Sequence, residues 1–182
     1  MHKGFAVIDF ETTGLSPEKG DRAIQLAIVT TDQNGYIENR WVSYINPEGR
    51  HSHYQAALIH KISETTLKNA PRFVELAPTI LDLVEGRTIT AHNVDFDIRF
   101  LEKELSRTRY RLPRVVQTFC TKNNAYHFLP QLTSANLRSC LQAINHTNDH
   151  PHDALSDAEA TAYLLQHYIK TDPSFFIRTV IR

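Results

Sequence analysis

The sequence predicts an α/β protein, a mixed sheet with helices packed on it, and three observations carry that reading. The first apolar runs of the chain are short and β-branched, the signature of strands rather than helices. Asn34-Gly35, the strongest short hairpin signal present, joins the second run to the third and makes an antiparallel meander of them. From Arg87 onward, strand-like and helix-like patterns alternate, as they do where helices cover a sheet.

Taken in order, Phe5 opens the first strand, Val7 and Ile8 are β-branched, and Thr12-Thr13-Gly14 ends it in a turn with free backbone donors. Ala23 to Thr31 is the second strand and Tyr36 to Ile45 the third, closed by Asn46-Pro47-Glu48-Gly49. A helical region follows. Ser63, with Thr65 and Thr66, can start a short helix, and Pro71 begins another, with a kink or a restart expected at Pro78. Arg87 to Ala91 reads as a short strand, Val94 to Ser106 as an amphipathic helix, and Val115 to Phe119 as a fifth strand. A short helix covers Thr121 to Phe128, and Leu137, Cys140, Leu141 and Ile144 mark another, capped by Ser134 or Thr133. The last long helix starts near Ser156 and runs to Lys170. Residues 1–172 then form one domain, and 173–182 a tail with no partner element that leads toward a further segment.

A chain of 182 residues is large enough for a real core. No apolar run approaches the roughly 20 residues that a membrane span needs, and the N-terminus has no signal-peptide pattern, so a cytoplasmic protein is expected. Cys120 and Cys140 form no C-x-x-C pair and read as reduced, packed thiols. A formal net charge of zero argues against coating long nucleic acid by phosphate neutralisation, but not against gripping a few nucleotides at an end. The basic cluster Arg107, Arg109, Arg111 and Arg114 reads as a solvated loop, with a phosphate-tracking rim as the alternative. The ten histidines crowd into HSH (51 and 53) and NHTNDHPH (146, 150 and 152), and most read as surface residues, because no H-E-x-x-H or similar ligand spacing occurs.

The chemistry centres on carboxylates. Asp9 and Glu11 stand two apart on the first strand and therefore share a face. Like charges there repel and are costly to desolvate unless a cation lies between them. On the 94–106 helix, advancing about 100° per residue gathers Val94, Ile98, Leu101 and Leu105 into one apolar stripe. Asp97 borders that stripe, whereas Asp95 falls on the opposite edge with Arg99 and Glu102. On the last helix Asp157 lies in line with Ala160, Thr161, Leu164, Leu165 and Tyr168, a core-facing row. Ser156 with Glu159 is a capping-box pattern that makes Asp157 the first helical residue, where it can also simply complement the helix dipole. His152, on the preceding loop, is free to swing over the same site.

VIDFETTGL, HNVDFDIRFL and HDALSDAEAT, in this order and spacing, resemble the three motifs of the DEDDh family of 3′–5′ exonucleases, among them the proofreading epsilon subunits of bacterial DNA polymerase III. The resemblance covers residues 4–170. It implies a ribonuclease H-like fold, with a five-stranded mixed sheet of meander plus parallel strands flanked by helices. It implies two divalent metal ions, Mg²⁺ or Mn²⁺, and release of nucleoside 5′-monophosphates from single-stranded or frayed 3′ ends. Matched residue by residue, Asp9, Glu11, Asp97 and Asp157 become the metal-binding carboxylates and His152 the general base. Leu58-Ile59-His60 resembles the family's apolar-apolar-His segment, in which the histidine helps to bind the terminal nucleotide; a packed histidine at a helix end is the alternative. Gln55 stands five before it, where epsilon subunits carry glutamate, and Phe10, Thr12 and Leu15 match positions that contact the terminal nucleotide. Gln25 and Gln117 depart from the pattern, standing where many relatives have acids.

Phosphodiester hydrolysis needs a nucleophilic hydroxide and shielding of developing charge, which two metals held by carboxylates supply. Histidine ordinarily titrates near neutrality and suits the proton transfer. The expected role is proofreading or repair of DNA ends, alone or with a polymerase or fused domain. Three alternatives stand beside it: RNA trimming, a silent docking domain of the same fold, and a phosphohydrolase built on His152-Asp153. The last leaves Asp9 and Glu11 unexplained.

Overall fold

The computed structural model describes residues 2–113 and 116–179. Strands β1 (Phe5–Thr12), β2 (Ala23–Thr31) and β3 (Ile37–Tyr44) form the expected antiparallel meander. Gly35 closes the hairpin at φ +81°, and a Cβ there would come within 2.8 Å of the Gln166 backbone, so glycine is required twice over. Helices α1 (Tyr54–His60), α2 (Glu64–Lys68) and α3 (Phe73–Val84) follow, then β4 (Thr88–Ala91), α4 (Val94–Ser106) and β5 (Thr118–Cys120). The chain ends in α5 (Ala125–Phe128), α6 (Leu137–Ala143), α7 (Ala154–Thr171) and α8 (Pro173–Thr179). Strand order is β3-β2-β1-β4-β5, with β4 parallel to β1 and β5 parallel to β4. This is the ribonuclease H-like arrangement.

β1 lies at the centre and divides two cores. Phe5 and Val7 face α7, while Ala6, Ile8 and Phe10 face α3 and α4. Every residue of β2 is buried, because helices cover both faces of the sheet. β3 is an edge strand and carries Glu38, Asn39 and Arg40 exposed, a composition that discourages pairing with another chain. An ion pair locks α4 against the sheet. Glu104, 1 % exposed, accepts from Arg22 Nε at 2.8 Å, Arg22 Nη2 at 3.0 Å and the Ala23 backbone at 3.1 Å. A buried charge is tolerable when its lone pairs are filled in this way.

Several expectations are corrected. α3 runs through Pro78 without restarting. The bond lost is the one to the Val74 carbonyl, and Val74 lies on the exposed side of the helix, where the loss costs least. β5 begins at Thr118; Val115, placed in that strand from sequence, lies outside the described residues. α5 is shorter than expected and begins at Ala125. The cap of α6 is Asn136, whose side chain accepts from Ser139 N, not Ser134 or Thr133. α7 starts three residues earlier than the Ser156 cap implies, at Ala154, with Asp153 as its cap accepting from Ser156 N at 3.1 Å. Asp157 therefore sits one turn into the helix, and Ser156 Oγ donates instead to Asn148 Oδ1 at 2.7 Å. The stretch after Asp172, without a partner in the sequence reading, folds as α8 and buries Phe176 against Phe5, Phe119 and Phe128.

Candidate active site

β1 delivers Asp9 and Glu11 to the face on which α7 packs, as the alternation requires. α7 brings Asp157 to the same point. One oxygen from each of these carboxylates lies within 4.8 Å of the other two. Beside Glu11 the β1–β2 register slips, Glu11 pairing with Gln25 but Thr12 with Ala23, an irregularity of the kind that re-aims side chains at sites. Gln25 holds the start of α7: its amide donates to Asp153 Oδ2 at 3.3 Å and its oxygen accepts from Ala154 N at 3.4 Å. The departure from glutamate is thus a clamp rather than a fourth charge.

Asp97 comes from the other side of the sheet, on the first turn of α4. It is 4 % exposed and accepts the Phe10 N–H at 3.1 Å, so it reaches the strand beside Asp9. Asp95 is exposed, as the helical phase requires. Burial pushes the Asp9 carboxyl well above its ordinary range, and repulsion from Asp97, Asp157 and Glu11 adds to it. Burial, then Asp157, Asp153 and Asp97, pushes Glu11 up to about 8. Asp97 is raised by burial despite its backbone bond, and Asp157 is raised by burial against the pull of its hydrogen bonds. Mutually repelling, half-buried carboxylates are a donor set of hard oxygens, which fits a divalent cation such as Mg²⁺ or Mn²⁺.

A loop secures Asp157. Its Oδ1 accepts from Asn148 Nδ2 and its Oδ2 from the His152 backbone N–H at 3.0 Å. His152 is exposed and has φ +68°, a conformation uncommon outside glycine and concentrated at functional sites. The turn aims its backbone N–H at Asp157, and the two residues line one cavity. Asn148 does not stand out in the sequence; it is an ordinary polar loop residue until the fold sets it against Asp157.

A cavity of about 700 Å³ adjoins Glu11, and Phe10, Thr12, Leu15, Gln55 and His60 all line it. Leu15 stands at its lip, 75 % exposed, and Phe96 completes an apolar wall with Phe10. Phe96 is missed from sequence because its helical position alone reads as ordinary core. His60 is buried, its Nδ1 accepts from Ile62 N at 2.9 Å, and Nε2 lies 3.1 Å from Ser52 Oγ. It is a packed histidine at a helix end that also forms part of the cavity wall. Behind the lip, buried Asp21 accepts from Ser16 N, Arg50 and His53. A Cβ on Gly14 would come within 2.3 Å of Asp21 and His53, so only glycine lets this group close the turn.

The basic cluster is largely self-satisfied. Arg107 pairs with Glu104, Arg109 lies over Tyr110, and Arg111 donates to the carbonyls of Thr108 and Tyr110; Arg114 is outside the described residues. Among the described residues no helix is long and apolar enough to cross a membrane.

Residues 6–165 match the RNase_T family of exonucleases. The chain is 34 % identical over 160 residues to the 3′-5′ exonuclease DinG of Bacillus subtilis (strain 168), an alignment that covers 88 % of this chain and 17 % of DinG. It is 31 % identical over 160 residues to the DNA polymerase III subunit epsilon of Rickettsia prowazekii (strain Madrid E), covering 86 % of this chain and 69 % of that subunit. In structure it is similar to E. coli exonuclease I in complex with a dT13 oligonucleotide, with a TM-score of 0.82 at 22 % identity over 98 % of this chain and 43 % of that one. The chain belongs to the exonuclease family.

Proposed function

We propose that the chain is a metal-dependent 3′–5′ exonuclease that removes nucleoside 5′-monophosphates from single-stranded or frayed 3′ ends of DNA, in replication proofreading or repair. The observation that carries this reading is the convergence of Asp9, Glu11 and Asp157 within 4.8 Å, beside a cavity of nucleotide size. Asp9, Glu11 and Asp157 would hold one divalent ion, and Asp97 would serve a second. When bound, the ions supply a water of lowered pKa and charge shielding at the phosphate and departing oxygen.

The remaining steps belong to side chains of this chain. Phe10, Phe96 and Leu15 receive the terminal base and sugar, with Thr12, Gln55 and His60 setting the cavity's polar edge. His152 takes the proton of the attacking water. The phosphorus–O3′ bond breaks, the phosphate stays with the terminal nucleoside, and the shortened strand leaves with a 3′ hydroxyl. Asn148 and the His152 N–H keep Asp157 aimed at the site throughout. The epsilon relative, a subunit of DNA polymerase III, supports a DNA substrate and work beside a polymerase, which we place in the cytoplasm.

A 5′-labelled single-stranded DNA oligonucleotide incubated with Mn²⁺ tests the reading. A ladder shortening from the 3′ end is expected, abolished by EDTA. A faster ladder on the matching RNA would make it an RNA-trimming enzyme, and no product on either would leave a silent docking domain.

A further inference from the structure

A second cavity, of about 880 Å³, opens on the other side of the carboxylates. Asp157, His152 and Asn148 form one wall, and Arg138 and Gln142, four apart on α6 and hence on one face, form the other. Arg138 is exposed and makes no ion pair or hydrogen bond among the described residues. It is the exception among the described arginines. Arg22, Arg40, Arg50, Arg72, Arg87 and Arg107 are all paired with acids. Arg99, Arg109, Arg111 and Arg178 are each engaged by a hydrogen bond or a ring. In a chain with no net charge, an unpaired arginine in the same cavity as Asp157 is a place where a polyanion gains a new charge-assisted contact.

The two cavities differ in a way that assigns their contents. The one beside Glu11 has the rings of Phe10, Phe96 and Tyr54 in its wall, with Lys19 and Arg50 among them, which suits a base and sugar. The one beside Asp157 has no Phe, Tyr or Trp ring among the described residues; Arg138 and the amides of Asn148 and Gln142 share it with Leu137, Leu141 and Asp149, which leaves room for a sugar–phosphate backbone but offers no ring for a base to stack on. Hydrolysis at phosphorus needs room on both sides, one for the terminal nucleoside and one for the departing O3′ and its strand. We infer that the α6 cavity holds the strand upstream of the scissile phosphate, and that Arg138 contacts one of its phosphates. The inference rests on the exonuclease reading above, and it makes Arg138 a strand-binding residue rather than a catalytic one.

Binding is measured in EDTA, so that turnover is not required, by anisotropy of a fluorescein-labelled DNA dodecamer at several salt concentrations. Arg138→Gln is expected to weaken binding about tenfold, as loss of one charge-assisted contact does. The slope of log affinity against log salt should fall by about 0.7, one phosphate's share on a single strand. Arg138→Lys should retain the slope, since a point charge suffices. With Mn²⁺, the ratio of kcat/KM on the dodecamer to kcat/KM on thymidine 5′-(p-nitrophenyl phosphate), which has no upstream strand, should fall about tenfold in Arg138→Gln. Unchanged affinity and slope in a folded Arg138→Gln protein would overturn the assignment. Failure of the wild type to cleave either substrate would instead overturn the exonuclease reading, whatever the binding shows.

Discussion

At the scale of single residues the account turns on four carboxylates and one histidine, each with a distinct expected phenotype. Asp9→Ala should abolish nuclease activity while leaving the fold intact, because removing one of several repelling charges relieves the metal-free protein. Thermal melts and oligonucleotide degradation on the same sample check both halves. His152→Ala should lower kcat by about 10²-fold or more, the usual worth of a general base. Mn²⁺ affinity should change little, since Asp157 is held by the backbone N–H of His152 and not by its ring. Asp97→Asn should cost most of the activity, while Asp95→Asn, altering an exposed charge, should leave kcat within a few-fold in single-turnover assays. The carboxylates are legible in the sequence because strand alternation and helical phase place them without tertiary information, whereas His152, on a loop, is legible only through its motif. Asn148 and Gln25 are not, since their roles arise only where a loop and a neighbouring strand meet α7.

At the scale of elements, α7 and α4 carry the site, and each is pinned by a different device. The start of α7 rests on Asp153, which caps it, and on Gln25, which reaches it from β2. Asp153→Ala should cost about 1 kcal/mol of stability for the lost cap, or a melting temperature lower by about 2–4 °C. Activity should fall as well, because the cap sets where Asp157 points; unchanged melting and activity would show that Gln25 alone suffices. The strands and the long helices are readable from β-branched runs and from periodicity, and β2 and α4 match their expected bounds. Helix starts are less readable. The spacing of Ser156 to Glu159 points to a cap at Ser156, but the cap is Asp153, which Gln25 reaches from β2, a contact that local sequence does not show. α8 is hidden for a similar reason, because its aromatics need a hydrophobic hollow among Phe5, Phe119 and Phe128 that exists only once the sheet is covered.

At the scale of the whole molecule, the carboxylate cluster couples folding to pH and to metal. Glu11 and its neighbours have pKa values raised in the folded state, so between their unfolded and folded values the folded protein binds more protons than the unfolded chain. Stability therefore falls as pH rises. For Glu11 the window runs from its ordinary 4.5 to about 8. Melting temperature of the metal-free protein should fall from pH 5 toward pH 9, and Glu11→Gln or added Mg²⁺ should flatten that decline. A metal-free profile that rises over this range would contradict the electrostatics described. The most direct test of the central claim, that Asp9, Glu11 and Asp157 hold the metal that makes this fold a nuclease, is the rate of 3′-end shortening of a 5′-labelled oligonucleotide as Mn²⁺ is titrated into wild type and Asp9→Ala. The account predicts a rate that rises with metal and saturates in the wild type, and no measurable rate at any Mn²⁺ concentration in the variant; saturating shortening by Asp9→Ala, or shortening by the wild type in EDTA, would contradict it.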